Sequence, residues 1–193
     1  DFNRPFFEQY HELWRKVPLL GLSIDTPSSQ TSPYTNHAGH LKNGYLLFHA
    51  DFCEDSAYGF FHFHTKSVFD SSAVMVSELC YDMMNTYKSN HCIGGRNQVA
   101  ESLDCAFIRD AQGCQNCFGS ANIRNQKYQF FNKQLTKEEY GVKIKEYDLG
   151  SYVGYQKAKE NAEEHWKKYP PKPYYEEFNT DSNGNYLIQS KNC

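Results

Sequence analysis

The chain is 193 residues long, enough for one domain or for one repeat array with a helical appendage. Its 20 basic and 23 acidic residues give a formal charge of -3, which excludes the broad basic footprint that neutralises many phosphates. No apolar run approaches the roughly 18–20 residues of a membrane-spanning helix, and 15 Tyr and 14 Phe beside few aliphatic residues make the expected core aromatic.

Taken in chain order, the first predicted element lies within Arg4–Lys16. Phe6, Phe7, Tyr10, Leu13, Trp14 and Val17 recur at spacings of three and four, one face of an amphipathic helix that Pro18 ends. Residues 1–33 are thus read as a capping helix and linker. A repeat array needs such a cap, because its terminal coil exposes a sheet edge and an apolar cross-section.

Residues 34–134 carry a tandem repeat. An aromatic or Cys position recurs at Tyr34, Tyr45, Tyr58, Phe69, Cys80, Cys92, Cys105, Cys117 and Tyr128, with gaps of 11, 13, 11, 11, 12, 13, 12 and 11. Small polar residues precede several of these positions and short β-prone runs follow them, as in Tyr45-Leu46-Leu47-Phe48 and Cys105-Ala106-Phe107-Ile108, so each unit reads as a turn and a strand. The expected fold is mainly β with flanking α-helices: a parallel β-solenoid of 11–13-residue units in which equivalent side chains stack about 4.8 Å apart. Two units would make a coil of roughly 22–25 residues, and three are the other option. The alternative fold is an antiparallel all-β meander or sandwich.

Thr136 three residues before Glu139 has the form of a capping box, so a helix is expected from there through Val142, Ile144 and Tyr147. A second helix is expected over Tyr152–Lys168, stopped by Pro170-Pro171; together they form a helical insert, 135–178. At 179–193 the turn-and-strand composition returns in Asn183-Gly184-Asn185-Tyr186-Leu187-Ile188. This return, with the start at Asp1 rather than Met, gives the expectation of a segment from a longer protein with a further array.

Asn116 to Tyr140, with Asp1-Phe2-Asn3-Arg4-Pro5-Phe6-Phe7-Glu8-Gln9-Tyr10, Val17-Pro18 and Lys42-Asn43-Gly44-Tyr45-Leu46, resembles uncharacterised Cys/Asn/Tyr-repeat proteins from metagenomes of uncultivated bacteria, often called zinc-ribbon proteins. The resemblance covers most of the chain and implies a Cys-rich zinc ribbon ahead of Asp1. It implies no reaction, and Tyr45, Tyr58 and Phe69 stand where relatives carry Cys.

Seven Cys crowded into one part of the chain argue against a disulfide scaffold and favour a reducing, cytoplasmic location. Cys80, Cys92, Cys105 and Cys117 are open to three readings, as core, as a disulfide stack or as metal ligands. Core is favoured, because buried Cys behaves as a small hydrophobe. Cys114-Gln115-Asn116-Cys117 has the spacing of half a zinc site but lacks a second C-x-x-C. His62 and His64 would share one face of an alternating strand, near His49, His37 and His40. His62, His64, Cys114 and Cys117 are therefore the candidate metal ligands, zinc the candidate ion, and no cofactor is expected.

Asp51, Asp55, Asp70 and Asp110 with Arg96 and Arg109 are the residues a solenoid enzyme acting on carbohydrate would use. Phe48, Phe61, Phe63, Phe118 and Phe131 fall on the parity opposite the ladder and should need cover from helices, a second protomer or a partner. The favoured reading is a non-catalytic repeat scaffold for protein interaction or self-assembly. Against it stand a solenoid enzyme with a carbohydrate or His-metal site, and a nucleic-acid or ribosome-associated adaptor using Lys127, Lys133, Lys137 and Lys143.

Overall fold

The computed structural model describes residues 1–19 and 21–170. In it the chain winds as a parallel β-solenoid. Seven segments, β1 (Asn36–Lys42), β2 (Tyr45–Glu54), β3 (Ala57–Tyr81), β4 (Met84–Tyr87), β5 (Arg96–Ala100), β6 (Arg109–Gln112) and β7 (Ala121–Arg124), pair in sequence order, each parallel to the next. The antiparallel alternative is thereby excluded from the main sheet. Only β8 (Gln129–Phe130) and β9 (Lys133–Gln134) pair antiparallel, at the C-terminal end of the stack.

The register corrects the expected coil size. Asn36 pairs with Phe48, Tyr45 with Ala57, Ser72 with Met84 and Arg109 with Ala121, so one unit of 12 residues makes one complete coil. A single residue is added between Arg96 and Val99, where the offset becomes 13. Nor is β3 a straight strand. Its start pairs with β2 and its later part with β4, and it turns at every third residue, with positive φ at Tyr58, Phe61, His64, Ser67, Asp70, Ala73, Val76 and Leu79.

Each coil therefore has four sides of three residues: one side chain inward, one outward, one at a left-handed corner. Asn, Asp, His and Gly, which tolerate that conformation, recur at the corners, but so do Phe52 and Val76. The corner strain, of order 1 kcal/mol or more per residue, is set against ladder hydrogen bonds made on both edges of every coil. Outward N–H groups donate forward to the next coil, as from Tyr45 to the Ser56 carbonyl, and corner N–H groups donate back, as from Asp55 to the Lys42 carbonyl.

This pattern leaves inward N–H groups such as those of Val68, Met83 and Ser89 to side-chain acceptors, and the residue types inside follow from that. Ser56 Oγ accepts from the Val68 N–H, Ser71 from Met83, Ser77 from Ser89 and Ser102 from Cys114, each one coil on. The same hydroxyls donate to the carbonyl two residues back, Ser56 to Glu54 and Ser71 to Phe69. A buried donor with no partner costs about 1–3 kcal/mol, so serine is the residue this lumen favours.

The lumen is also narrow. Where a larger side chain enters, a glycine stands beside it: Gly44 by Leu41 and Leu47, Gly59 by His62, Gly95 by Met83. A Cβ on Gly59 would lie 2.4 Å from the His62 ring, and one on Gly95 2.5 Å from the Met83 methyl. The expected aromatic core is thus corrected for the lumen, which is lined by Ser, Cys, Val, Ala, Thr and Gly with two Leu, two Ile, Met83 and His62; most Tyr and Phe lie outside it.

Three helices accompany the stack. α1 (Phe6–Lys16) forms where expected and buries none of its residues. α2 (Lys137–Lys143) starts at the Thr136 capping box, whose hydroxyl accepts from the Glu139 N–H while the Glu139 carboxylate accepts from the Thr136 N–H. A 3-10 turn, Ile144–Glu146, follows, and then α3 (Tyr152–Trp166), which buries Ala158, Ala162 and Trp166 against the solenoid. The expected further repeat at 179–193 and the end of the helical insert at 171–178 lie outside the described residues.

Candidate interaction surface

The three-residue period redistributes the ladder residues. Cys80, Cys92, Cys105 and Cys117 occupy one inward column, since their followers Tyr81, Ile93, Ala106 and Phe118 pair in sequence. Above them the same column holds Gly44, Ser56 and Val68, all buried. Tyr45 and Phe69 stand one position later and face outward, while Tyr34, Tyr58 and Tyr128 sit at left-handed corners. The Cys positions therefore interchange with Ser, Gly and Val rather than with Tyr or Phe. A 12-residue coil has no room inside for an aromatic ring in that column.

The cysteines fill the serine role. Cys53, Cys80, Cys92, Cys105, Cys114 and Cys117 are free and buried, and each thiol donates to the carbonyl two residues back, at 3.3–3.4 Å. Burial, then the neighbouring Cys92, pushes the Cys80 thiol up to about 12. Cys105 is pushed well up by its hydrogen bonds with Cys117 and Cys92 and by burial, and Cys114 by its bond with Cys117 and by burial.

The four candidate zinc ligands do not come together. Cys114 and Cys117 point into the lumen on adjacent sides, and His62 points into it more than four coils away, about 20 Å at the spacing of parallel strands. His64, expected on the face of His62, is instead a corner residue in contact with Phe52, because the chain turns at every third residue instead of alternating. His62 is fully buried; its Nε2 lies 3.0 Å from the Ser71 carbonyl, and burial lowers its pKa below the usual value. Among the described residues no group of three or more His, Cys, Asp or Glu side chains is arranged to hold a metal ion.

The enzyme candidates are likewise dispersed. Asp51 Oδ1 is 2.9 Å from His40 Nδ1, Asp55 accepts from Asn43, Asp70 stands at another corner, and buried Asp110 lies 3.3 Å from Arg109 Nε. The backbone N–H of His40 donates to Ser28 Oγ, but that hydroxyl donates to the Asp25 carbonyl. His37, His49 and Phe61 stack along one corner and His40, Phe52 and His64 along the next, ring upon ring. Of the lysine stripe, Lys143 is paired with Glu146.

An apolar wall is formed where two adjacent sides meet at the corner of Tyr58, Asp70 and Asp82; one side is apolar throughout, and the other is interrupted by Ser72 and, past Met84, by Arg96 and Arg109. Its outward column runs Tyr45, Ala57, Phe69, Tyr81, Ile93, Ala106, Phe118, Phe130 by the ladder register, and a second column contributes Phe48, Phe60 and Met84. The C-terminal part is covered. Phe107 packs on Tyr155, Phe118 on Tyr147 and Phe131 on His165, so Phe107 and Phe118 are fully buried. The cover ends at Asp82, whose carboxylate binds Arg96 at 2.6 Å, Lys159 at 2.9 Å and the Tyr155 hydroxyl. Burial opposes the charge of Asp82, but hydrogen bonds from Lys159 and Tyr155, with the charge of Arg96, outweigh it and hold the carboxyl below its ordinary value.

Beyond Asp82 the wall is bare among the described residues. Tyr45, Phe48, Tyr58, Phe60 and Phe69 are between 39% and 59% exposed, and Phe48, Tyr58 and Phe60 border a groove of about 630 Å³ that runs past Asp70 to Met84 and Arg96. Of the five outward phenylalanines expected from the sequence, Phe118 and Phe131 are therefore met by helices, whereas Phe48 is left open; Phe61 and Phe63 belong to the His-aromatic corner. Tyr58, Phe60 and Met84, which share the groove, are missing from that set. No family model matches the chain, and no curated protein matches it.

Proposed function

We propose that the chain is a non-catalytic repeat scaffold that assembles with further copies of itself through the bare apolar wall. One observation carries the reading: the apolar wall is covered by α2 and α3 over its C-terminal coils and by no described residue over the coils of Tyr45, Tyr58 and Phe69. Exposed aromatic patches of this kind are characteristic of interaction surfaces. The scattered carboxylates and histidines weigh against chemistry on this frame, which needs convergent groups.

The test is sedimentation of the full chain over a concentration series, beside Tyr58→Asp/Phe60→Asp. Both substituted side chains face solvent, so the circular dichroism spectrum should not change. Wild type should associate in the micromolar range and the variant should stay monomeric. A wild type that remains monomeric, or a variant that associates equally well, overturns the proposal.

A further inference from the structure

The bare wall has a match elsewhere in the chain. α1 presents Phe6, Leu13 and Trp14 at 70%, 60% and 53% exposure, with Tyr10 between them stacked on Phe6 and tilted against Trp14. An amphipathic helix with no buried residue and an apolar wall that no described residue covers are complementary deficits.

Three observations make them fit. First, the covered half of the wall shows what it accepts: α3 runs along the stack, from Tyr155 against Tyr81 and Phe107 to His165 against Phe131, with aromatic side chains at the contact. Second, the lengths agree. An 11-residue helix is about 16 Å long, and the bare coils from Tyr45 to Met84 span about 15–19 Å at the spacing of parallel strands. Third, the charges agree. α1 ends in Arg15 and Lys16, and the bare wall adjoins the exposed carboxylate of Asp70 and the N-terminal end of α3. A helix laid there with its C-terminus towards α3 places two cations by Asp70 and aligns the two helix dipoles head to tail.

Resting on the assembly reading above, we infer that the occupant of the bare wall is α1 of a second copy of this chain, exchanged reciprocally. α1 stands off its own wall, with none of its residues buried. Reciprocal exchange covers both helices and both walls in one closed twofold dimer, leaving no unpaired copy of either surface to propagate the contact.

The experiment uses two full-length variants, one with the helix face broken, Leu13→Asp/Trp14→Asp, and one with the wall broken, Tyr58→Asp/Phe60→Asp. Each alone should sediment as a monomer. Mixed, they retain one intact helix-wall contact of the two, so they should form a heterodimer at least about tenfold weaker than the wild-type dimer. If the helix variant associates as wild type does, α1 is not the occupant, while the assembly reading survives. If the mixture stays monomeric where wild type dimerises, reciprocal exchange is wrong. A monomeric wild type whose Trp14 is shielded from a soluble quencher would mean that α1 folds onto its own wall, and both readings fall.

Discussion

Gly59 leaves room for His62, since a methyl group there would approach the imidazole to 2.4 Å. Overpacking of this kind costs about 1–3 kcal/mol, so Gly59→Ala should lower the melting temperature clearly in the wild type and little in a His62→Ala background. Equal losses in both backgrounds would show that the two positions are not coupled. The same melts carry a pH test. His62 has a folded-state pKa below its unfolded value of about 6.5, so the unfolded state binds the proton first as pH falls. Stability is then lost once pH drops through the unfolded value. From about pH 7.5 to about 5.5 the wild type should lose of order 1 kcal/mol more than His62→Ala does, whereas an equal pH response would place the imidazole in contact with water. The imidazole pair read from His62 and His64 relied on strict alternation, and the left-handed corners at Phe61 and His64 remove it.

At the scale of elements, α3 is held at its N-terminal end by one carboxylate and along its length by apolar packing. Asp82 gathers Arg96, Lys159 and Tyr155 around a site about one-fifth exposed. Removing it in Asp82→Ala leaves partly buried cations and a hydroxyl unpaired, a loss of about 1–2 kcal/mol after solvent screening. Amide exchange should rise over α3 while the buried amides of Val99 and Ile108 stay protected. A uniform rise over helix and coils would mean that α3 and the stack unfold as one unit. Both helix starts were legible in the sequence, because capping is a local device: Thr136 and Glu139 settle α2 between them, and Ser151 accepts from the Gly154 N–H at the start of α3. Where α3 docks was not legible, because the contact joins residues more than seventy positions apart.

At the scale of the molecule, the stack encloses its cysteines. A coil is bonded to its neighbours on both edges, so the six lumen thiols become accessible only when the ladder itself opens. Burial raises Cys80, and thiol pairing with burial raises Cys105 and Cys114, whereas the same thiol hydrogen bonds lower Cys92 and Cys117, so enclosure rather than ionisation is what withholds all six from a reagent. A soluble alkylating reagent should therefore modify at most Cys193 in the native protein. The remaining six should react together, across the same denaturant range in which the β signal is lost. Modification of two or more thiols in native buffer would contradict a closed lumen.

By itself the sequence determined a tandem period close to 12 and the helices at both ends of the array, and it favoured parallel stacking; the one-coil unit and its single added residue between Arg96 and Val99 came from the register. The period and the helices depend on spacing and on local caps. The sequence also carries, unread in the ladder, a small or aliphatic residue at nearly every third position: Ala38, Leu41, Gly44, Leu47, Ala50, Cys53, Ser56 and Gly59, resuming after Gln98 at Val99, Ser102 and Cys105. Only the tertiary structure decided which column faces inward. Aromatic and β-branched residues such as Phe52 and Val76 sit at left-handed corners that their residue types disfavour, and only the hydrogen bonds of adjacent coils hold them there. The cover over half of the apolar wall was likewise decided at a distance, by a helix whose own sequence does not say where it will dock.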